Sequence, residues 1–235
     1  MTEMSENSRH AAAPTTLLFD LDGTLLDSRE AILNSHRHTF REVAGIDIDE
    51  VGYDAGELLA MRIPEAFEHF GHAELAEQGA LEYDRFYREE GYKYAVVYEG
   101  ARETILRLAE LGVPWGVVTN KGRGRATDDL RRLVGDVVDE MICLIGAEDT
   151  AERKPHPAPI LAGLRAAGIG PEGVAYVGDG PHDVEAALAA GTIAIGAAYG
   201  YYGDEALRAA GAHHVIAAPT DLLELVTTSA GTGGA

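Results

Sequence analysis

Basic residues are scarce in this chain of 235 residues: 19 lysines and arginines stand against 39 aspartates and glutamates, a formal net charge of −20. That deficit opposes non-specific binding to nucleic acid or to an anionic membrane. It also repels a phosphorylated ligand, so any phosphate site in this chain needs its own local cations. Cysteine is nearly absent. Cys143 is the only one, so no disulfide framework can form within one chain, and its position inside the apolar run Met141 to Ile145 predicts a buried structural thiol. Long hydrophobic runs are missing as well. No stretch approaches the roughly 18 apolar residues of a membrane span, and residues 1–14 are polar and Ala-rich, without the apolar centre of a signal peptide. There is no internal repeat. These absences predict a cytoplasmic protein with neither a nucleic-acid nor a membrane partner, and they leave monomer and homodimer equally open.

What is present concentrates in one short stretch. Phe19-Asp20-Leu21-Asp22-Gly23-Thr24 follows an apolar run, Thr15 to Phe19, that reads as a buried strand. In extended chain residues two apart project to the same side, so Asp20 and Asp22 face one site while Leu21 turns away. Two carboxylates that close cost free energy unless a cation lies between them, and an oxygen-preferring divalent ion such as Mg2+ is the usual answer. A plain turn explains Asp22-Gly23 but not Asp20. A calcium loop starting at Asp20 requires Gly at its sixth position and Glu at its twelfth, where this chain has Leu25 and Ala31.

The chain is long enough, at 46% hydrophobic, for one full core and a second small one. Residues 28–96 read as helical, with apolar faces built from Ala31, Ile32, Phe40 and Val43, then Leu58, Leu59, Ile63, Phe67 and Phe70, then Leu75, Leu81, Phe86 and Tyr87. No strand is expected there. From Glu99 onward strands and helices alternate: strands at 113–118, 137–145, 174–177, 192–197 and 213–217, and helices near 100–111, 124–133, 155–167 and 181–190. That alternation predicts an α/β fold, a doubly wound parallel sheet covered on both faces, in which ligands sit beyond the carboxyl ends of the strands. The expected organisation is a disordered N-terminus 1–14, a core made of 15–27 and 97–226, a helical insertion 28–96 and a flexible tail 227–235.

Polar groups recur at those strand ends. The first strand delivers Asp20, the strand from Val113 ends in Thr119-Asn120, and the strand from Val174 ends in Gly178-Asp179-Gly180-Pro181-His182-Asp183. Lys154, held outside a helix that Pro155 would start, supplies the required cation. Each residue alone has a plainer explanation as a turn, a cap or a solvated lysine. Together they do not, because complementary chemistry repeats at every strand end where a site belongs. Lys121, Arg123 and Arg125 form a basic run that either steers anions or is simply a solvated helix start. His182 reads as a loop residue or a substrate contact.

These motifs, Asp20-Leu21-Asp22-Gly23-Thr24, Thr119-Asn120, Lys154 and Gly178-Asp179 with Asp183, resemble those of the haloacid dehalogenase superfamily, and with the helical insertion they cover nearly the whole chain. Val117 to Lys121, Lys154-Pro155-His156-Pro157 and Tyr199-Gly200-Tyr201 are similar to the phosphoglycolate phosphatase branch. The resemblance implies a Rossmann-like core with a helical cap inserted after the first strand, and a Mg2+-dependent phosphatase acting on a small phosphorylated metabolite. It implies Asp20 as nucleophile forming a phospho-aspartyl intermediate and Asp22 as acid and then base. Thr119, the amide of Asn120 and Lys154 would bind the phosphoryl oxygens. Metal would be held by the Asp20 carboxylate, the Asp22 backbone carbonyl and Asp179, with Asp183 in support. The presence of Asp22 favours phosphoester hydrolysis over dehalogenation, since an alkoxide must be protonated and a halide need not be. One departure is Gly180, where many relatives carry Ser. Within the insertion, Arg62 is the candidate contact to a substrate carboxylate. A sugar-phosphate mutase or a pyrophosphatase of the same superfamily, and more remotely a catalytically silent metal-binding protein, are the competing readings.

Overall fold

The computed structural model describes residues 13–227, so the expected disordered N-terminus and flexible tail fall almost wholly outside the described residues. The chain divides into two compact units, Asp27–Val96 and the remainder, Met1–Leu26 with Val97–Ala235.

The second of these is built on a six-stranded sheet. Its strands are β1 (Thr16–Phe19), β4 (Trp115–Val118), β5 (Leu144–Ile145), β6 (Val174–Gly178), β7 (Ile193–Ala197) and β8 (His214–Ile216), in the order β5-β4-β1-β6-β7-β8. Every pairing is parallel. From β1 the chain steps outward to β4 and β5, crosses back to the other side of β1, and continues through β6 to β8. The expected doubly wound sheet is therefore borne out, with β1 at the centre of the reversal, where such sheets bind ligands.

The period of two along each strand divides the core. Leu17, Phe19, Trp115, Val117, Ala175 and Val177 face helices α6 (Ala101–Glu110), α7 (Arg123–Val134) and α11 (Asp221–Thr227). Leu18, Val118, Val174, Tyr176 and Ala194 face α8 (Ala158–Ala167), α9 (Pro181–Ala189) and α10 (Gly203–Ala209). Close approach on the second face requires Gly116, where a Cβ would lie 2.7 Å from Cys143 Sγ. Cys143 is buried, and burial pushes its thiol pKa up to about 11.

Several expected element bounds need correction. The strand expected over 137–145 is confined to Leu144–Ile145, because Gly135–Glu140 closes into a 3-10 turn directly after α7. The helix after Lys154 begins at Ala158, not at Pro155. Two short strands that the pattern did not reveal, β2 (Leu26–Asp27) and β3 (Val96–Val97), pair where the chain leaves and rejoins the sheet unit, and of them only Val96 falls within 28–96. Two-residue strands carry too little alternation to register as a pattern.

Unit Asp27–Val96 is helical, with α1 (Arg29–Thr39), α2 (Ile48–Val51), α3 (Ala55–Ala60), α4 (Ile63–His69) and α5 (Ala76–Glu89). Its core is Leu33, Phe40, Ile48, Leu58, Ala66 and Phe67, in which the Phe40 and Phe67 rings stack at 4.3 Å. Leu81, expected to face inward, is 70% exposed. The buried face of α5 is instead Gly79, Tyr83 and Tyr87, with the Phe67 ring lying against Gly79 so closely that a Cβ there would overlap it. No helix among the described residues is long and apolar enough to cross a membrane.

Candidate active site

Parallel register brings three strand ends level. Phe19 pairs with Val117 on one side and Val177 on the other, so Asp20 emerges between the ends of β4 and β6. Its backbone N–H donates to Val177 O at 2.8 Å, which holds it at the sheet edge, and it is buried.

Lys154 is the centre of the cluster. Its ammonium is wholly buried, 2.9 Å from Asp20 Oδ1 and 2.6 Å from Asp183 Oδ1, and it donates to the Tyr176 hydroxyl at 2.7 Å. That hydroxyl in turn donates to Val118 O at 2.7 Å. The Asn120 side chain clamps the Lys154 backbone from both ends: Oδ1 accepts from Lys154 N at 3.2 Å and Nδ2 donates to Lys154 O at 3.3 Å. The side-chain amide of Asn120 is thus engaged in holding Lys154. Thr119 is buried beside it, its hydroxyl oxygen accepting from Lys121 N at 3.2 Å.

Asp183 lies in the first turn of α9. Gly180 N donates to its Oδ2 at 3.0 Å, tying the carboxylate to the helix start. Asp179 is wedged at the end of β6. Its Oδ2 accepts from Tyr201 N at 2.8 Å, and a Cβ on either Gly23 or Gly200 would overlap its side chain, so both neighbouring positions must lack one. His182, expected as a loop residue or a substrate contact, is the second residue of α9, with Nε2 3.5 Å from Asp183 Oδ2 and its ring edge-on to Tyr202. Ligand atoms of Asp20, Asp183 and His182 lie within 4.8 Å of one another.

The electrostatics of this pocket are lopsided. Three buried carboxylates, Asp20, Asp179 and Asp183, face one ammonium. Burial is the largest influence on Asp20 and raises its pKa in spite of Lys154. Burial, with the neighbouring Asp183 charge, raises Asp179 to about 8. Burial pushes Asp183 the same way, but Lys154 and His182 outweigh it and hold the carboxyl below the usual range. For Lys154 burial opposes the charged form, and the two carboxylates beside it still raise its pKa, so it stays an ammonium. Burial and the crowding of carboxylates favour relief of this excess negative charge by protonation, the direction in which Asp20 and Asp179 are both shifted. A divalent cation does the same without protons, and a donor set dominated by carboxylate oxygen suits a hard ion. The residues present therefore fit a divalent metal.

The Asp22 side chain is held by a second lysine, its Oδ1 accepting from Lys121 Nζ at 2.8 Å. Lys121 is itself buried and also 2.8 Å from Asp129 Oδ2. This removes Lys121 from the expected anion-steering or solvated run. Arg123 of that run is exposed and paired with Asp149. Arg62 belongs to the helical unit, where it caps α4. Its guanidinium and backbone N–H both bond Glu65, the guanidinium at 2.8 Å, and its side chain is 61% exposed.

Sequence reasoning missed Tyr176 and the Lys121–Asp129 pair. Tyr176 carried a signal: a hydroxyl inside the apolar strand Val174–Gly178 has to find a polar partner there. Lys121 and Asp129 are eight residues apart, and only the docking of α7 brings Asp129 against the lysine that meets Asp22.

A family model described as haloacid dehalogenase-like hydrolase matches residues 17–197. The phosphoglycolate phosphatase of Pseudomonas savastanoi pv. phaseolicola is 33% identical over 201 residues, covering 80% of this chain and 71% of that protein. Pyrophosphatase PpaX of Bacillus pumilus is 31% identical over 214 residues, 90% of this chain and 95% of that one. Among solved structures, a HAD-superfamily hydrolase, subfamily IA, variant 1, of Geobacter sulfurreducens PCA matches with a TM-score of 0.67 at 25% identity, covering 93% of this chain and 99% of that chain.

Proposed function

The chain belongs to the haloacid dehalogenase-like hydrolase family, and from that premise we propose that it is a Mg2+-dependent phosphatase of a small phosphorylated metabolite, with phosphoglycolate the first candidate. The observation that carries this reading is the buried Lys154 ammonium spanning Asp20 and Asp183 at the carboxyl end of the central strand. A fixed cation beside a carboxylate nucleophile is what an anionic phosphoryl group requires, above all in a chain of net charge −20.

In the first step a carboxylate oxygen of Asp20 attacks phosphorus and the bond from phosphorus to the leaving oxygen breaks. That oxygen takes a proton from the Asp22 carboxyl and departs as the alcohol. In the second, water attacks the phospho-aspartyl phosphorus and gives a proton to the Asp22 carboxylate. The bond between phosphorus and the aspartyl oxygen breaks, returning Asp20 as carboxylate and releasing inorganic phosphate. Thr119, Asn120 and Lys154 hold the phosphoryl oxygens, with the Asn120 side chain also fixing Lys154. Asp20, Asp179 and the Asp22 carbonyl would hold the metal, with Asp183 in support. Bound there, the ion would offset carboxylate repulsion and polarise the phosphoryl group.

The unit Asp27–Val96 acts in this reading as the cap that selects the leaving group, with Arg62 as the contact to a substrate carboxylate. The cytoplasm is the setting we assign. The PpaX relative, matched over nearly its full length, favours pyrophosphate as the second candidate substrate. A screen of phosphorylated metabolites with Mg2+, including phosphoglycolate, sugar phosphates, nucleotides and pyrophosphate, tests the assignment by phosphate release. Asp20→Asn is expected to abolish turnover while keeping the fold by circular dichroism. Hydrolysis at the parent rate in that variant would refute the mechanism.

A further inference from the structure

Lys121 takes no part in the chemistry just described, yet its placement is tightly specified. Its side chain is 4% exposed and its Nζ lies 2.8 Å from both Asp22 Oδ1 and Asp129 Oδ2. Asp129, 2% exposed at its side chain, also pairs through Oδ1 with Arg132 Nη1 at 3.1 Å. A lysine on a flexible four-carbon stem is thereby held between two anions, one of them anchored from the next turn of α7. Lys121 and Asp129 are buried, while Arg132, 39% exposed at its side chain, meets Asp129 from the solvent side.

An ammonium donates hydrogen bonds and accepts none. Asp22 Oδ1 is therefore the accepting oxygen of this contact, which leaves Oδ2 as the oxygen available for proton transfer. We propose that Lys121, fixed by Asp129, is a positioning residue that orients Asp22 so that Oδ2 alone delivers the proton to the leaving oxygen and later receives one from water. This inference rests on the role assigned to Asp22 above. It assigns the Lys121–Asp129–Arg132 chain a function in proton delivery and none in binding phosphate.

The two functions separate through the leaving group. A p-nitrophenolate departs readily without a proton, whereas an alkoxide does not. The ratio kcat/KM reports events up to loss of the leaving group, so it should be measured with Mg2+ across a series of aryl and alkyl phosphate monoesters for the parent, Lys121→Met and Asp129→Asn. The expected result is a loss of about 100-fold on alkyl esters for Lys121→Met, the scale of general acid catalysis, with p-nitrophenyl phosphate changed only a few-fold and KM little affected. Asp129→Asn should show the same steepened dependence to a smaller degree, and it carries the test if Lys121→Met does not fold. An equal loss on every ester would overturn the inference, because a merely structural residue lowers all rates together. If the parent hydrolyses none of the esters, the phosphatase reading itself fails, a result distinct from parallel losses in an active parent.

Discussion

At the scale of single residues, the site is a problem of buried charge solved by sharing. Lys154 meets Asp20, Asp183 and Tyr176 at once, and each partner has a further tie: Asp20 to β6, Asp183 to the start of α9, Tyr176 to β4. Tyr176 is the least expected member. It accepts from the ammonium and donates to Val118 O, so Tyr176→Phe removes one donor from a buried carbonyl and deprives Lys154 of one acceptor. We expect a loss of about 1–3 kcal/mol in urea unfolding at pH 7, the cost of leaving a buried polar group short of a partner. Unchanged stability would show that the hydroxyl contributes no net energy. Lys121 and Asp22 follow the same rule, a cation with two carboxylate partners, a few residues away along the same strand ends.

At the scale of elements, the parallel register does most of the assembly. Because β4, β1 and β6 are adjacent and end level, Thr119, Asp20 and Asp179 arrive at one edge without any long connection. Helices α7 and α9 then add Asp129 and Asp183 from their first two turns. Within the helical unit, the Arg62 guanidinium at the start of α4 is already paired with Glu65. A substrate carboxylate would have to displace that partner, an exposed i,i+3 pair of the kind worth well under about 1 kcal/mol. Arg62→Ala is therefore expected to lower kcat/KM for carboxylate-bearing phosphate esters by about 10-fold relative to neutral ones, the effect of losing one charge-assisted contact of about 1.4 kcal/mol. A preference that survives the substitution would remove Arg62 from substrate recognition.

For the molecule as a whole, the excess of acidic residues has a local counterpart in the pocket. Asp179 has its pKa raised by burial and by Asp183 from 3.8 to about 8. A group favoured in its protonated form by folding stabilises the chain fully below its unfolded pKa, and that contribution is lost as pH rises through about 8. The metal-free protein should therefore lose stability between pH 5 and pH 9, by several kcal/mol from this group alone. Divalent metal should restore it at the alkaline end. Net charge acts in the same direction, so the control is Asp179→Asn, which is expected to flatten the profile of the metal-free protein and to weaken the restoration. Urea midpoints across that range, with and without Mg2+, supply the measurement. A variant profile parallel to the parent's would exclude Asp179 as the titrating group.

The fold class and most of the site were legible in the chain because both follow from short-range pattern. Strand and helix periods alternate from Glu99 onward, and polar residues stand at the end of each apolar run, which is where a parallel sheet must place its ligands. Leu81 and the 137–145 stretch show where pattern fails: apolar residues there satisfy a local period, while the packing of Phe67 on Gly79 and the 3-10 turn after α7 decide what is buried. Residue order by itself placed carboxylates at the strand ends. Only the tertiary structure divided them into the Lys154 cluster and the Lys121-bound Asp22. That division depends on two lysines, each buried against two aspartates, and the free energy of a buried charge is set by neighbours that no local spacing encodes.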